Sequence, residues 1–359
     1  MDGFRAIAVL WIILHHIFVF FDLRPILGSL MVPFSKFAAV GVFGVDIFFV
    51  ISGFLITGLL LEDFDNGKIR IRRFYMRRFL KIIPQYTLTV IAGLALTLVY
   101  HFGRNADYDP LHIIWINAVF IQNYCHSMQV PPLAHLWTIA VEEQFYFVYP
   151  LLLILICFIF KDTCQKRTAL IIICLMLIVT ENACRCAAIA EVFRKGGTFW
   201  YQETQFHSDG LALGVLIKLI EPYLSGIAGT LKQSLCFACL TAGMAIYLVF
   251  ILNGVNFLSW PTLELACLAP GLLLLSALIN EDGFIQYFAE NKALRWVGKN
   301  SYGIYLWHYV LLFFILANFK HPDLLNAILA YYVAGTIFLG YLSTVTVEQY
   351  FLNFRKIFD

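Results

Sequence analysis

Arg5 and His16 stand eleven residues apart in an otherwise apolar run that begins at Asp2 and ends on the pair His15-His16. Drawn as an α-helix, that spacing is about three turns, so both side chains project to nearly the same face, roughly 16 Å apart along the axis. Ionisable groups are costly in a hydrocarbon environment and face the interior of a helix bundle, where they mark a pathway or a site. Histidine exchanges protons near neutral pH, which makes His16 a candidate general base for activating a hydroxyl. Arg5 alone reads equally as an interfacial anchor, and either histidine alone reads as an interhelical hydrogen bond. It is the pair that points to chemistry. His15 lies about 100° behind the shared face and reads as a structural neighbour.

Other apolar segments place acids at a similar depth. Asp46 sits in Gly-Val-Asp-x-Phe-Phe-Val-x-Ser-Gly (44–53), and Glu142 and Glu143 sit together in His-Leu-Trp-Thr-x-x-Val-Glu-Glu-Gln-Phe-Tyr (135–146). Glu142 and Tyr146 are four apart and share a helix face, whereas Glu143 is turned about 100° from it. A carboxylate that orients an imidazole raises its basicity, so Glu142 is the expected partner of His16. The competing reading for Asp46 is a structural hydrogen bond between helices. Two further segments carry polar groups suited to lining a cavity: Asp209, beside His207 and Gly210, and His308, which shares a face with Ser301 and Tyr305.

A second signal is basic. Arg70, Arg73, Arg77 and Lys81, with Arg78 one step on, line one side of a helix expected to end or kink at Pro84. One reading is a topogenic loop lying on anionic membrane lipid. The sharper reading is a phosphate site, because guanidinium groups bind phosphate bidentately. No Gly-rich nucleotide loop accompanies it. A ligand held by its phosphates at this edge and reaching roughly 15–20 Å inward would match the Arg5-to-His16 separation, and acyl coenzyme A has that shape.

The elements that position these groups follow from composition. Of 359 residues, 61% are hydrophobic and only 13% charged, which excludes an ordinary soluble domain. Apolar runs near 4–21, 38–61, 81–102, 136–160, 168–190, 206–220, 231–252, 261–280, 301–319 and 325–349 predict an all-α, polytopic transmembrane bundle of about ten helices. The run 206–220 is short, and its Asp209-Gly210 suggests a helix that starts inside a polar cavity. The segment 111–124 reads as re-entrant or interfacial. Alternate loops hold Lys68, Arg70, Arg72, Arg73, Arg77, Arg78, Lys81, Lys161, Lys166, Arg167, Lys218, Lys232, Lys292, Arg295 and Lys299, with Arg355 and Lys356 in the C-terminal tail. The opposite loops hold only Arg24, Lys36, Arg104, Arg194, Lys195 and Lys320. Positive charge is retained inside, so both termini are expected in the cytoplasm, with His16 in the outer half of the membrane. No soluble domain is expected, and 1–359 reads as one membrane domain. The net charge of +2 gives no reason to expect nucleic acid. Cys236 and Cys239 form a C-x-x-C without a second ligand pair, so no metal site is expected.

Five blocks in order resemble the acyltransferase-3 family of integral membrane acyltransferases. They are Arg5 with His16, the block at 44–53, the basic block ending at Pro84, the block at 135–146, and Ser-Tyr-x-x-Tyr-Leu-Trp-His at 301–308. The resemblance implies a ten-helix enzyme of the carbohydrate O-acetyltransferase type. Such an enzyme moves an acyl group, commonly acetyl, from cytoplasmic acyl coenzyme A to a hydroxyl of an envelope or secreted carbohydrate. A bacterial inner membrane is the location it implies. On this carry-over Arg5 and His16 are the functional pair, with Glu142 and the basic block in support. The chain departs from the family pattern at Lys81, where arginine is usual, and at His207, where relatives often carry arginine. Relatives also usually have a longer segment before the first helix, which leaves a start upstream of Met1 open.

The combined expectation assigns catalysis to His16, Glu142 and Arg5. Coenzyme A binding falls to Arg5, Arg73, Arg77, Arg78 and Lys81, and cavity roles to Asp46, Glu143, Tyr146, Asp209 and His308. Direct attack and a covalent acyl-histidine route both remain open. The competing function is a transporter or flippase that uses the same intramembrane charges without making a bond.

Overall fold

The computed structural model describes residues 1–102, 109–126, 129–196, 201–224, 226–227, 229–256, 258, 260–280, 287, 290–319 and 322–358. Arg104 and Lys320, counted above in the opposite loops, lie outside them. The described residues are overwhelmingly helical and contain no strand. In chain order the helices are α1 (Asp2–Phe20), α2 (Arg24–Leu27), α3 (Met31–Ala39), α4 (Gly44–Asp65), α5 (Ile71–Tyr100), α6 (Pro110–Ala118) and α7 (Trp137–Ile159). They continue with α8 (Thr163–Lys195), α9 (Ser208–Leu224), α10 (Gly229–Asn253), α11 (Trp260–Ile279), α12 (Lys292–Lys299), α13 (Ser301–Asn318), α14 (Leu325–Ser343) and α15 (Gln349–Leu352).

Nine helical segments among the described residues are long and apolar enough to cross a membrane, so the chain is an integral membrane protein. The expected span at 206–220 is not one of them. Its helix, α9, has 17 residues, about 26 Å of rise against a hydrocarbon core of about 30 Å. It is short because its first turn, Ser208 and the buried Asp209, lies inside a polar cluster. The segment around 111–124 forms only the nine-residue α6, too short to span.

The chain divides into two compact units. The first comprises Met1–Ile69 and Val148–Gly298, the second Arg70–Phe147 and Lys299–Asp359.

In the first unit, α4 and α9 cross at glycines. A Cβ on Gly53 would stand 2.0 Å from the carbonyl oxygen of Leu211, and one on Gly214 would stand 2.1 Å from that of Val50. Only hydrogen fits at either position, which is how membrane helices approach closely and gain packing. The C-terminal carbonyls of α4 are met by a cation: Lys166 Nζ donates to Phe64 O at 3.0 Å and Asp65 O at 2.7 Å. Beside it, Arg167 forks onto the Asp65 carboxylate at 3.1 and 2.6 Å. Both interactions oppose the negative end of the helix dipole. Gly298 lets α12 close on the start of α1, since a Cβ there would meet Asp2 O at 1.8 Å.

In the second unit, α5 continues past Pro84 to Tyr100 and does not end there. Membrane helices tolerate the lost N–H where neighbours satisfy the backbone, and Tyr302 OH donates to Ile82 O in that turn at 3.0 Å. The Tyr86 hydroxyl donates to the backbone and side-chain oxygens of Asn117, each at 3.1 Å, and accepts from Gln122 Nε2 at 3.0 Å. α13 and α14 close on Gly303, whose Cβ would lie 2.4 Å from Gly340 O. After Ser343 the last span widens into a π-helical turn, Thr344–Glu348.

Candidate functional site

In the first unit, α1 presents two faces. Ile7, Leu10, Trp11 and Leu14 bound an apolar cavity of about 1020 Å³ shared with α3, α4, α10 and α11. Arg5 and His16 take no part in that lining. His16 donates Nδ1–H to the carbonyl of Ile12 at 2.9 Å. A carbonyl can only accept, so in the neutral ring the proton sits on Nδ1 and the basic lone pair on Nε2. His15 instead donates its Nδ1–H to Ala38 O at 3.3 Å, tying α1 to α3. The two rings meet edge to face, 5.2 Å between centroids. Arg5 Nε is buried and has no hydrogen-bond partner among the described residues. A buried guanidinium donor left in that condition costs about 1–3 kcal/mol, a cost that an anionic ligand would relieve.

Asp46 and Asp209 are brought together by a thiol. Cys267 Sγ lies 3.2 Å from Asp46 Oδ1 and 3.3 Å from Asp209 Oδ1. His207 Nδ1 stands 3.7 Å from Asp46 Oδ1, and its ring lies between those of Phe49 and Tyr201, each 5.7 Å away. The hub of this cluster is a residue the sequence reading missed. Arg185 of α8 is completely buried and pairs with Asp209 at 2.8 Å, Glu181 at 3.3 Å and Glu264 at 3.4 Å. It also donates twice to Phe206 O, at 3.2 and 2.6 Å. Ser208 Oγ donates to Glu181 at 2.8 Å. The guanidinium therefore fixes the first turn of α9, and with it His207 and Asp209. A sequence signal existed: Glu181 and Arg185 are an i,i+4 ion pair inside an apolar span.

The second unit holds the basic row. Arg73, Arg77 and Lys81 recur every four residues on α5, so they share a face, with Arg78 on the next line. The Arg78 guanidinium lies over the rings of Tyr146 at 5.3 Å and Phe74 at 5.9 Å, a cation–π placement that holds it toward α7. Glu143 lies within electrostatic reach of Arg78 and Glu142. Tyr302 is in turn within reach of Glu143, Glu348 and Glu142. Gln85 and Glu348, absent from the sequence reading, sit at this level and are hydrogen-bonded at 2.7 Å.

His308 is completely enclosed. Its Nδ1–H donates to Tyr305 O, and its ring stands edge-on to His135 at 5.1 Å. His135 donates Nε2–H to Leu306 O at 3.1 Å. Tyr305 OH donates to His135 O at 2.8 Å and lies 2.7 Å from Thr138 Oγ1. His308 thus helps to join α13 to the start of α7, and Ser301, also buried, lies two turns away on the same helix.

In the first unit an imidazole with a fixed tautomer suits proton transfer, and in the second a row of guanidinium groups suits phosphate. Residues 1–347 match the family described as Acyltransferase domain, the acyltransferase-3 family that the five blocks resemble. The chain belongs to this family. It is 28% identical to the peptidoglycan O-acetyltransferase OatA of Listeria monocytogenes, over 100% of this chain and 57% of that protein. It is 26% identical to the O-acetyltransferase OatA of Staphylococcus aureus, over 88% of this chain and 50% of that protein. The chain thus spans about half the length of these relatives. No solved structure matches it. Among the described residues, no group of three or more His, Cys, Asp and Glu side chains is placed to hold a metal ion.

Proposed function

We propose that this chain is a membrane O-acyltransferase that moves an acetyl group from acetyl coenzyme A, bound from the cytoplasm, to a hydroxyl of a cell-envelope carbohydrate. It sits on this reading in a bacterial inner membrane with both termini cytoplasmic, as the loop charges support. The names of its relatives support peptidoglycan as the acceptor.

The observation that carries the proposal is the Nδ1–H bond of His16 to Ile12 O. It leaves Nε2 as the atom that takes a proton. In the proposed step the acceptor hydroxyl gives its proton to His16 Nε2 as its oxygen attacks the thioester carbonyl. The new C–O bond forms, the C–S bond breaks, and the imidazolium returns the proton to the departing sulfur. Arg5 is assigned as an anion ligand on α1. Arg73, Arg77, Arg78 and Lys81 are assigned as phosphate ligands on α5, where guanidinium forks suit phosphate geometry. Glu142 is assigned as the carboxylate that orients the imidazole and raises its basicity. Asp46, Asp209, Glu143, Tyr146 and His308 shape and brace the helices that carry these groups.

The test is biochemical and then cellular. Purified protein in detergent, given acetyl coenzyme A and a glycan acceptor, is expected to release coenzyme A thiol and acetylate the glycan. Mass spectrometry of envelope glycans should show O-acetyl groups only in cells that hold the protein. Thiol release that never depends on a carbohydrate acceptor, or unchanged envelope glycans, would contradict the assignment.

A further inference from the structure

The basic row on α5 is followed, one helical turn further along, by a carboxyl group, that of Glu348. Arg77, Lys81 and Gln85 repeat every four residues and so share a face. Gln85 stands about 6 Å beyond Lys81 and about 12 Å beyond Arg77 along the axis. The side chain of Gln85 is completely buried. Both ends of its amide are engaged: Nε2 donates to Glu348 Oε2 at 2.7 Å, and Oε1 accepts from Ser343 Oγ at 3.1 Å. Ser343 and Glu348 flank and close the π-helical turn Thr344–Glu348. A π turn inserts one residue into a helix and re-aims the side chain that follows, and such turns recur at functional sites. Here it directs Glu348 at α5, and Gln85 fixes it there.

Two more carboxyl groups lie in the neighbourhood of Tyr302. The Tyr302 phenol is within electrostatic reach of Glu143, Glu348 and Glu142, and its hydroxyl donates to Ile82 O, one residue past Lys81, at 3.0 Å. The cations of α5 therefore end at Lys81, and Glu348 is held against the same helix one turn further on, at Gln85.

We propose that Glu348 is a charge stop for the donor. This rests on the acyl coenzyme A reading above. Phosphates are attracted to the row from Arg73 to Lys81 and repelled by the carboxylate held one turn beyond it. The uncharged pantetheine arm and its thioester meet no such barrier and pass further in. Glu348 thus fixes how far a donor enters, and so where its thioester comes to rest, without touching the reacting atoms. It is a positioning residue that selects donors built as a phosphate head on a neutral arm.

The experiment compares a donor that has phosphates with one that has none, acetyl coenzyme A and acetyl-pantetheine, on purified wild type and Glu348→Gln. Glutamine keeps an oxygen for the Gln85 bond and removes the charge. With acetyl coenzyme A, Glu348→Gln is expected to lower kcat about tenfold, with KM unchanged or lower, because phosphates then bind past their proper register. With acetyl-pantetheine, kcat/KM should stay within about twofold of wild type. Glu348→Asp, which keeps the charge, should restore most of the kcat for acetyl coenzyme A and guards against a fold effect. Equal losses with both donors, or no change with either, would overturn the charge stop while leaving the acyltransferase reading intact. Failure of the wild type to use any coenzyme A donor would overturn both.

Discussion

The Nδ1–H of His16 donates to the carbonyl of Ile12, one turn earlier on the same helix, at 2.9 Å. In the neutral ring this bond to its own helix puts the proton on Nδ1, so Nε2 is the basic nitrogen. His15 spends the equivalent bond on Ala38 of α3. Adjacent histidines with the same chemistry thus take different work: one joins helices, and the other is left with its basic atom directed away from its own backbone.

Arg185 is the stability hinge of the first unit. It is completely buried and carries three carboxylates and a carbonyl. Arg185→Ala strands those acids without a cation, and breaking a buried pair in this way costs about 3–5 kcal/mol. Thermal unfolding in detergent should show a large drop in midpoint, and Glu264→Gln, at the half-exposed edge of the cluster, a much smaller one.

The α4–α9 crossing tolerates no side chain at its centre. Gly53→Val places carbon atoms where Leu211 O already stands, 2.0 Å from the Cβ position, and overpacking of this kind costs about 1–3 kcal/mol. Reduced yield of folded protein and a lower unfolding midpoint are the expected results. An unchanged midpoint would show that the helices part easily there.

Arg78 separates charge from shape. It lies over Tyr146 and Phe74, and lysine keeps the charge while losing the planar fork and much of the stacking. Arg78→Lys and Arg78→Ala should both raise KM for acetyl coenzyme A, by roughly tenfold for alanine, with lysine closer to alanine than to wild type. Full rescue by lysine would reduce the residue to a point charge.

Much of this architecture was legible in the sequence because membrane spans declare themselves by length and hydropathy. Paired motifs such as Arg5 with His16 repeat at a helical spacing that survives folding. What escaped was set by tertiary contact. Arg185 was passed over inside the apolar run 168–190, and its pairing with Asp209 exists only once α9 folds against α8. Gln85 and Glu348 are far apart in sequence and meet only because a π turn re-aims the last span, which no periodicity announces. Of the two outcomes expected at Pro84, an end or a kink, the helix does not end there, since a bundle satisfies the backbone groups that proline leaves open. The tenth span fell short in length because the polar cluster that begins α9 lies within the protein.

The proposed mechanism has His16 Nε2 accept the hydroxyl proton during acyl transfer. Its most direct test is acetyl transfer from acetyl coenzyme A to a glycan acceptor by purified wild type and His16→Ala, matched for membrane insertion and unfolding midpoint. Loss of a general base costs about 10²- to 10⁴-fold, so His16→Ala should bring transfer down by at least that lower bound while the protein stays folded. Transfer by folded His16→Ala at a rate near wild type would contradict the account.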